Sequence, residues 1–271
     1  MATLHNFEAG GYAFLEGGFP YSAGAIALPG FAIVRARFHR VLPVAEGFAA
    51  IEAHLRAANR PLTALCAAEL RSPQPFSFEG FREFNAGYVA VLERWGLYRN
   101  ALNPVARSNV CPQFDAPAQP GFFAFSYTVP DAQAAVGGIA SGVASGASPG
   151  AAAVSRSFVV AGSGEWPEDL PFPEGIVARG DASPAGLASK ARYVLRTMRE
   201  RTAGLGGDWA ALTAAQVYTV HDIHPLLGSH FAADGLTRIG LTWQVCRPPI
   251  VGLDFEMDVR SVALERVLEL R

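Results

Sequence analysis

The sequence predicts an α/β (α+β) protein of two tandem units, each a β-sheet with helices. Its 271 residues suffice for two domains of roughly 130 residues each. Periodicity predicts the order β-β-α-β-α-β-β in the first half and β-α-β-α-β-β in the second. Between the halves lies a segment composed almost entirely of Ala, Gly and Ser. We therefore predict domains over 1–130 and 155–271, joined by a linker over 131–154.

Alternating and helical patterns define the elements of the first half. Phe48, Ile51 and Leu55 recur at helical spacing, and Pro61 ends that helix. The Gly- and aromatic-rich stretch at the N-terminus favours short strand pieces, because Gly and Pro interrupt it repeatedly. The predicted strands cover 31–38, 61–71, 103–112 and 120–130, and the predicted helices cover 44–60 and 81–96.

The second half repeats this order. Ser183 is a candidate N-cap, and Pro184 suits the first position of the long helix that follows. The segment 240–259 is interpreted as two strands joined at Pro248–Pro249. The remaining predictions are strands over 155–166 and 212–223, a long helix over 182–206 and a short helix over 224–235.

Composition excludes several classes of function. The formal charge of −2 leaves no basic surface for nucleic acid. No run reaches the ~18 apolar residues of a membrane span, and no signal pattern opens the chain, so we expect no membrane partner. Three widely spaced cysteines, Cys66, Cys111 and Cys246, favour structural thiols in a reducing cytoplasm.

Isolated charges in apolar strands are the first candidates for a site. Glu256 lies in an apolar alternation, where a carboxylate is rare unless it is paired or used for proton transfer. Arg35 and Arg37 share one face of a strand, either as an anion site or as a solvated face. His221 and His224 do not have the spacing of a metal-binding helix, so we predict no metal site.

Short sequence motifs occur in both halves of the chain. In the first half, Asn85 and Tyr88 form an N-x-x-Y pattern, and Arg107–Ser108 form an arginine-containing strand motif. The other stretches are FPYSAG over 19–24 and, in the second half, the helix and strand over 187–222, QVCRPP over 244–249 and DFEMDV over 254–259. Together these motifs resemble the RidA/YjgF family of enamine/imine deaminases.

The resemblance implies trimers of a chorismate-mutase-like unit whose sites lie between adjacent units. It also implies a carboxylate-binding arginine and a catalytic glutamate within one site. The first half has Arg107 but no matching glutamate, and the second half has Glu256 but no matching arginine. Either the two halves combine their residues at an interface, or another arginine serves Glu256.

The resemblance and the charge pattern together define the predicted site. Its catalytic residues are Glu256, Arg107 and Tyr21, and its substrate-binding residues are Arg35, Arg37, Asn85, Ser108, Ser163 and His230. The alternatives are structural: an ion pair for Arg107, a pairing of Glu256 with Arg260 or Arg247, and a packed aromatic ring for Tyr21.

The resemblance implies a cofactor-independent hydrolase that deaminates an enamine or imine of an unsaturated amino acid or diacid. The preferred substrate is 2-aminomuconate, a compound of aromatic degradation, because additional arginines suit a diacid. We expect a cytoplasmic homotrimer. The alternatives are a chorismatase-like hydrolase and a non-catalytic RidA-like protein that binds a small acid.

Overall fold

Two β-sheets form the framework of this computed structural model, which describes residues 2–131 and 156–269. The strands are β1 Leu4–Phe7, β2 Tyr12–Leu15, β3 Gly24–Ala27, β4 Phe31–Pro43, β5 Leu65–Arg71, β6 Ala106–Pro112, β7 Gly121–Pro130, β8 Phe158–Gly164, β9 Ala214–Tyr218, β10 Leu241–Gln244, β11 Cys246–Arg247, β12 Glu256–Ser261 and β13 Leu264–Leu268. The long helices are α1 Val44–Ala57, α2 Phe78–Arg94 and α3 Pro184–Gly204.

Each sheet takes strands from both halves of the chain. The first sheet has the order β1-β2-β3-β8-β12-β9-β10, and the second has the order β11-β6-β5-β7-β4-β13. In the first sheet β3 pairs antiparallel with β8, with Gly24 opposite Val160. In the second sheet β13 runs parallel to β4, with Leu264 opposite Val34. The sheets are thus interlocked by strands exchanged between the halves.

The division into tandem domains over 1–130 and 155–271 does not coincide with these sheets and stays a prediction. The predicted linker over 131–154 lies, apart from Asp131, outside the described residues. The mixed helix-and-sheet class is confirmed by the architecture.

Helix α3 begins at its predicted N-cap, whereas α2 begins at Phe78, three residues before its predicted start. The Ser183 hydroxyl accepts a hydrogen bond from the Gly186 N–H at 3.2 Å, and Pro184 occupies the first turn. Ser77 caps α2 in the same way through the Gly80 N–H at 3.0 Å. Helices α1 and α2 bury their apolar sides against the second sheet, and α3 buries its own against the first.

The segment 240–259 differs from its sequence-based interpretation. Strands β10 and β11 both precede Pro248, and a loop then leads to β12, which starts at Glu256. Neither Pro248 nor Pro249 can donate a ladder hydrogen bond, so the strand ends there. The loop is held instead by two hydrogen bonds with the backbone of Phe76, one to the Pro249 carbonyl and one from the Val251 N–H.

Three further details were not predicted correctly. Strands β1 and β13 at the two ends of the chain were missed. The predicted helix over 224–235 is a π-helical turn, Leu227–Ala232, followed by the 3₁₀ turn Leu236–Arg238.

None of the helices in the described ranges is long and apolar enough to cross a membrane.

Candidate active site

A pocket of about 720 Å³ opens where α2 and β6 of one half meet β8 and β12 of the other. Five of the residues predicted for the site line it: Tyr21, Asn85, Arg107, Ser163 and Glu256. Three of these come from the first half and two from the second. The strand exchange therefore brings Arg107 and Glu256 to one pocket.

Arg107 is a buried cation without a hydrogen-bonding partner for its terminal nitrogens. Its side chain extends from β6, the residue is 3% exposed, and neither Nη atom has a partner among the described residues. The guanidinium carbon lies 5.1, 5.5 and 5.0 Å from the ring centres of Tyr21, Phe81 and Tyr88. Burial lowers the Arg107 pKa, because the charged form has lost its water. Such a group favours an anion that makes two parallel hydrogen bonds.

Two amide side chains add unpaired polar atoms to the pocket. Asn85 is 2% exposed, and its Oδ1 has no partner in the described part of the chain. Asn109 lies two residues after Arg107 on β6, so both side chains occupy the same face of that strand. Its Oδ1 accepts a hydrogen bond from Ser72 at 2.9 Å, while its Nδ2 has no partner among residues 2–131 and 156–269. Sequence reasoning missed Asn109, although its spacing from Arg107 was visible.

Glu256 is the buried carboxyl group of the pocket. It is 4% exposed, and no hydrogen bond to its carboxyl group is found in the described ranges. The two arginines considered as structural partners bind elsewhere: Arg260 pairs with Glu265 at 2.6 Å, and Arg247 binds Gln113 at 3.2 Å.

The surroundings of Glu256 favour its protonated form. Its pKa is raised well above the ordinary value, first by burial and then by the charges of Asp258 and Glu165. Arg71 and Arg107 lower the pKa by smaller amounts. Glu256 thus lines a pocket and has a raised pKa, and both are expected of a general acid.

Gly162 on β8 makes room for this carboxyl group. A Cβ atom at position 162 would collide with Glu256 Oε1 and would lie 3.1 Å from Ser108 Oγ. A side chain at position 162 would therefore displace the Glu256 carboxyl group.

A buried ion pair fixes the chain just before Glu256. The Glu165 carboxylate accepts hydrogen bonds from the N–H groups of Asp254 at 2.6 Å and Phe255 at 3.0 Å. Lys190, which is fully buried on α3, donates to Glu165 at 3.2 Å and to the Asp254 side chain at 2.9 Å. These contacts set the point at which β12 enters the pocket.

Aromatic and aliphatic side chains form the remaining walls. Phe78 at the start of α2 stacks on Phe172 with ring centres 5.0 Å apart, and Trp166 packs edge-on against Phe172 at 5.3 Å. Phe81 and Leu253 continue this wall inside the pocket. A few polar groups within apolar walls are typical of a site for a small organic ligand.

Arg35 and Arg37 lie away from this pocket. Arg35 donates to both carboxylate oxygens of Glu69, at 2.5 and 2.8 Å, and Arg35 is the main charge holding the Glu69 pKa down at about 2. Arg37 lies with its guanidinium carbon 5.6 Å from the ring centre of Phe123. The buried Glu69 balances the charge of Arg35, which is why Arg35 faces β5 and not the pocket.

Ser108 and His230 also do not line the pocket. Ser108 extends from the opposite face of β6 to Arg107 and donates to Asp258 at 2.7 Å. His230 lies on the π-helical turn, with its Nδ1 2.8 Å from Ser229 Oγ. Their substrate-binding roles stay predictions that the pocket geometry does not support.

Comparison with known proteins shows which family the chain belongs to. The family described as 2-aminomuconate deaminase CnbZ matches residues 4–266. A protein of Comamonas testosteroni named 2-amino-5-chloromuconate deaminase is 46% identical over 263 residues, which are 97% of this chain and 98% of that protein. A solved chorismatase structure covers 96% of this chain and 79% of its own, with 12% identity and a TM-score of 0.42. Because the family match spans almost the entire sequence, the chain belongs to the CnbZ family of 2-aminomuconate deaminases.

Proposed function

We propose that this protein hydrolyses the C–N bond of an enamine or imine diacid of the 2-aminomuconate type, releasing ammonia and a 2-oxo acid without a cofactor. The observation that carries the proposal is the presence of an unpaired, buried Arg107 guanidinium and a buried Glu256 carboxyl group in one pocket. Family membership and the named activity of the relative from Comamonas testosteroni support the deamination of an aminomuconate.

Arg107 binds a substrate carboxylate in this proposal. Its two unpaired Nη atoms match the two oxygens of a carboxylate, and the surrounding rings exclude water that would weaken the contact. Asn109 Nδ2 can donate a further hydrogen bond to this carboxylate, and Asn85 Oδ1 can accept one from the amino group of the substrate. Binding of the anion also compensates the cost of burying the arginine charge.

Glu256 transfers the protons. The protonated carboxyl group gives its proton to the enamine carbon, which leaves an iminium group and a carboxylate. The carboxylate takes a proton from water as the water oxygen bonds to the iminium carbon. Glu256 then protonates the amino nitrogen, the C–N bond breaks, and ammonia leaves. The hydroxyl proton of the remaining group returns to Glu256, and the carbonyl of the 2-oxo acid forms.

The resemblance to the RidA family also implies a domain organisation, an oligomeric state and a location in the cell. We propose RidA-like tandem units and a cytoplasmic homotrimer. Sedimentation of the purified protein tests the trimer, because a monomer or dimer would exclude it. The pocket described above is formed within one chain, so the proposed chemistry does not depend on that outcome.

Glu256→Gln tests the reaction. We expect kcat for ammonia release from 2-aminomuconate to fall by about 100-fold or more, with little change in KM, because the amide keeps the shape of the glutamate side chain but transfers no proton.

The wild type should show a matching pH dependence. Its kcat falls as the pH rises through the raised pKa of Glu256, since the acid form of this carboxyl group is then lost. This loss occurs at a higher pH than for an ordinary glutamate.

The same assay separates the alternatives. Unchanged ammonia release by Glu256→Gln would exclude the proposed acid. Pyruvate release from chorismate by the wild type would favour a chorismatase-like hydrolase. A wild-type protein that binds the diacid but turns over neither substrate would favour a non-catalytic binding protein.

A further inference from the structure

A second buried carboxyl group lies behind Glu256 on the same strand. Asp258 follows two residues later on β12, is 5% exposed, and faces the space between the two sheets, as Glu256 does. Its Oδ2 accepts hydrogen bonds from Ser108 and from Tyr218, each at 2.7 Å, and its Oδ1 accepts one from Gln216 at 2.9 Å. Asp258 lines no part of the active-site pocket, so the reaction described above does not use it.

Ser108 connects this carboxyl group to the catalytic one. Ser108 Oγ and Glu256 Oε1 both lie against Gly162, where a Cβ atom would touch both. Ser108 has its proton directed to Asp258, so its lone pairs remain able to accept a proton from Glu256. No hydrogen bond joins Ser108 to Glu256 in this structure. Catalytic hydrogen bonds are often long before substrate binds, and the last torsion of a glutamate side chain is broad.

We propose that Ser108 and Asp258 form a proton relay behind Glu256. The Glu256 proton passes to Ser108 Oγ while the Ser108 hydroxyl proton passes to Asp258 Oδ2, and the reverse transfer restores the acid. One proton is thereby shared between two carboxyl groups that are shielded from solvent. Glu256 can then present either a carboxyl group or a carboxylate to the substrate without exchanging protons with bulk water.

The charges around the relay are consistent with a shared proton. Burial raises the Asp258 pKa, as does the nearby Glu69, and the Asp258 charge in turn raises the Glu256 pKa. Two interacting carboxyl groups titrate as a pair. The charged groups that act on the two carboxyls are Glu69 and Arg71 of β5, Arg107 of β6, Glu165 after β8, and Arg260 of β12.

Tyr218 provides a matched control for Ser108. Both hydroxyl groups donate to the same Asp258 oxygen at the same distance. Tyr218 lies opposite Glu256 in the ladder of β9 and β12, but of the two hydroxyls it is that of Ser108 that lies with Glu256 Oε1 against Gly162. Ser108→Ala and Tyr218→Phe therefore each remove one hydrogen bond from Asp258. Only the serine substitution interrupts the proposed path.

The experiment measures kcat and KM for ammonia release from 2-aminomuconate by the wild type, Ser108→Ala, Tyr218→Phe and Glu256→Gln. We expect Ser108→Ala to lower kcat by roughly tenfold or more with KM within about twofold, as expected for loss of a proton-transfer group. Tyr218→Phe should stay within about threefold of the wild type. Thermal melting of each variant shows whether it is folded.

The relay rests on the proposed function, and the same series distinguishes their failures. An active wild type with an inactive Glu256→Gln, but equal kcat for Ser108→Ala and Tyr218→Phe, would overturn the relay alone. A change confined to KM in Ser108→Ala would overturn it too. A wild type that releases no ammonia would overturn the deaminase reaction and the relay together.

Asp258→Asn adds a readout that a purely structural role does not affect. The amide keeps the size of the side chain but removes the negative charge beside Glu256. We expect the alkaline fall of kcat to move to lower pH, because the largest charge that raises the Glu256 pKa is gone. An unmoved pH profile would show that Asp258 and Glu256 do not share a proton.

Discussion

Arg107 differs from Arg35 and Arg260 in having no salt bridge to a carboxylate among residues 2–131 and 156–269. Arg35 is paired with Glu69, and Arg260 is paired with Glu265. Arg107 is instead surrounded by three aromatic rings, and neither of its terminal nitrogens has a hydrogen-bonding partner in the described part of the chain. An uncompensated buried charge is costly to the fold, so its retention in a pocket indicates a ligand-binding role.

Arg107→Lys tests this role at the scale of one residue. Lysine keeps the charge but cannot make two parallel hydrogen bonds to a carboxylate, so we expect kcat/KM to fall by roughly 10- to 100-fold, mainly through KM. Steady-state ammonia release measures the change. Arg82→Lys is the control, because Arg82 lines the same pocket but is largely exposed and 3.9 Å from Glu79. Equal effects of the two substitutions would contradict a specific role for Arg107.

Single residues were only partly predictable from the sequence. Glu256 was recognisable because a carboxylate stood in an apolar alternation, and Arg107 because of its motif. Arg35 looked equally suitable as an anion-binding residue, since the pattern along one strand cannot show that Glu69 lies beside it on β5. Asn109 was overlooked because an amide in a strand has no charge to attract attention.

At the scale of the elements, β8 and β12 define the position of the Glu256 carboxyl group. The two strands pair antiparallel, and their register shifts between Met257 and Val259. Gly162 on β8 permits the Glu256 carboxyl group and the Ser108 hydroxyl to approach the same point. A side chain there would displace at least one of them.

Gly162→Ala tests this arrangement. We expect kcat to fall by roughly 100-fold, because a displacement of about 1 Å at a catalytic group has an effect of that order. Overpacking should also lower the free energy of unfolding by about 1–3 kcal/mol. Ammonia release and thermal melting measure the two effects.

Gly87 on α2 offers the matched control. A Cβ atom at position 87 meets no heavy atom within 4 Å, so Gly87→Ala should leave activity unchanged and stabilise the helix by about 0.5–1 kcal/mol. Wild-type kcat in Gly162→Ala would show that the glycine is not required for the position of Glu256.

Helices were easier to predict than strands. The N-cap Ser183 with Pro184 marked the start of α3, and the helical stripe around Phe48 marked α1, because both signals are local. Strand pairing depends on residues far apart in the sequence. The short β13 at the end of the chain has three exposed residues in five and no clear alternation, so its pairing with β4 was not visible.

At the scale of the whole molecule, the strand exchange explains why neither half has a complete site. Arg107 belongs to a strand of the second sheet, and Glu256 belongs to a strand of the first. Direct bonds cross between the sheets, from Ser108 to Asp258 and from Arg71 to Gln244. The sequence showed two incomplete sets of motifs, and the interlocked sheets combine them into one pocket.

The exchange predicts that the halves do not fold separately. A fragment of residues 1–131 lacks β8, which pairs with β3, and also β11 and β13 of the second sheet, while a fragment of residues 156–271 lacks β1, β2 and β3. Each fragment would expose unpaired strand edges and half of the pocket.

We expect each fragment alone to lack a cooperative thermal transition in circular dichroism, and we expect co-expression of both fragments to restore ammonia release. Co-expression with a second fragment carrying Glu256→Gln is the control and should restore folding without activity. A cooperative transition in either fragment alone would instead support independent tandem domains, because a domain that buries its own core melts as one unit.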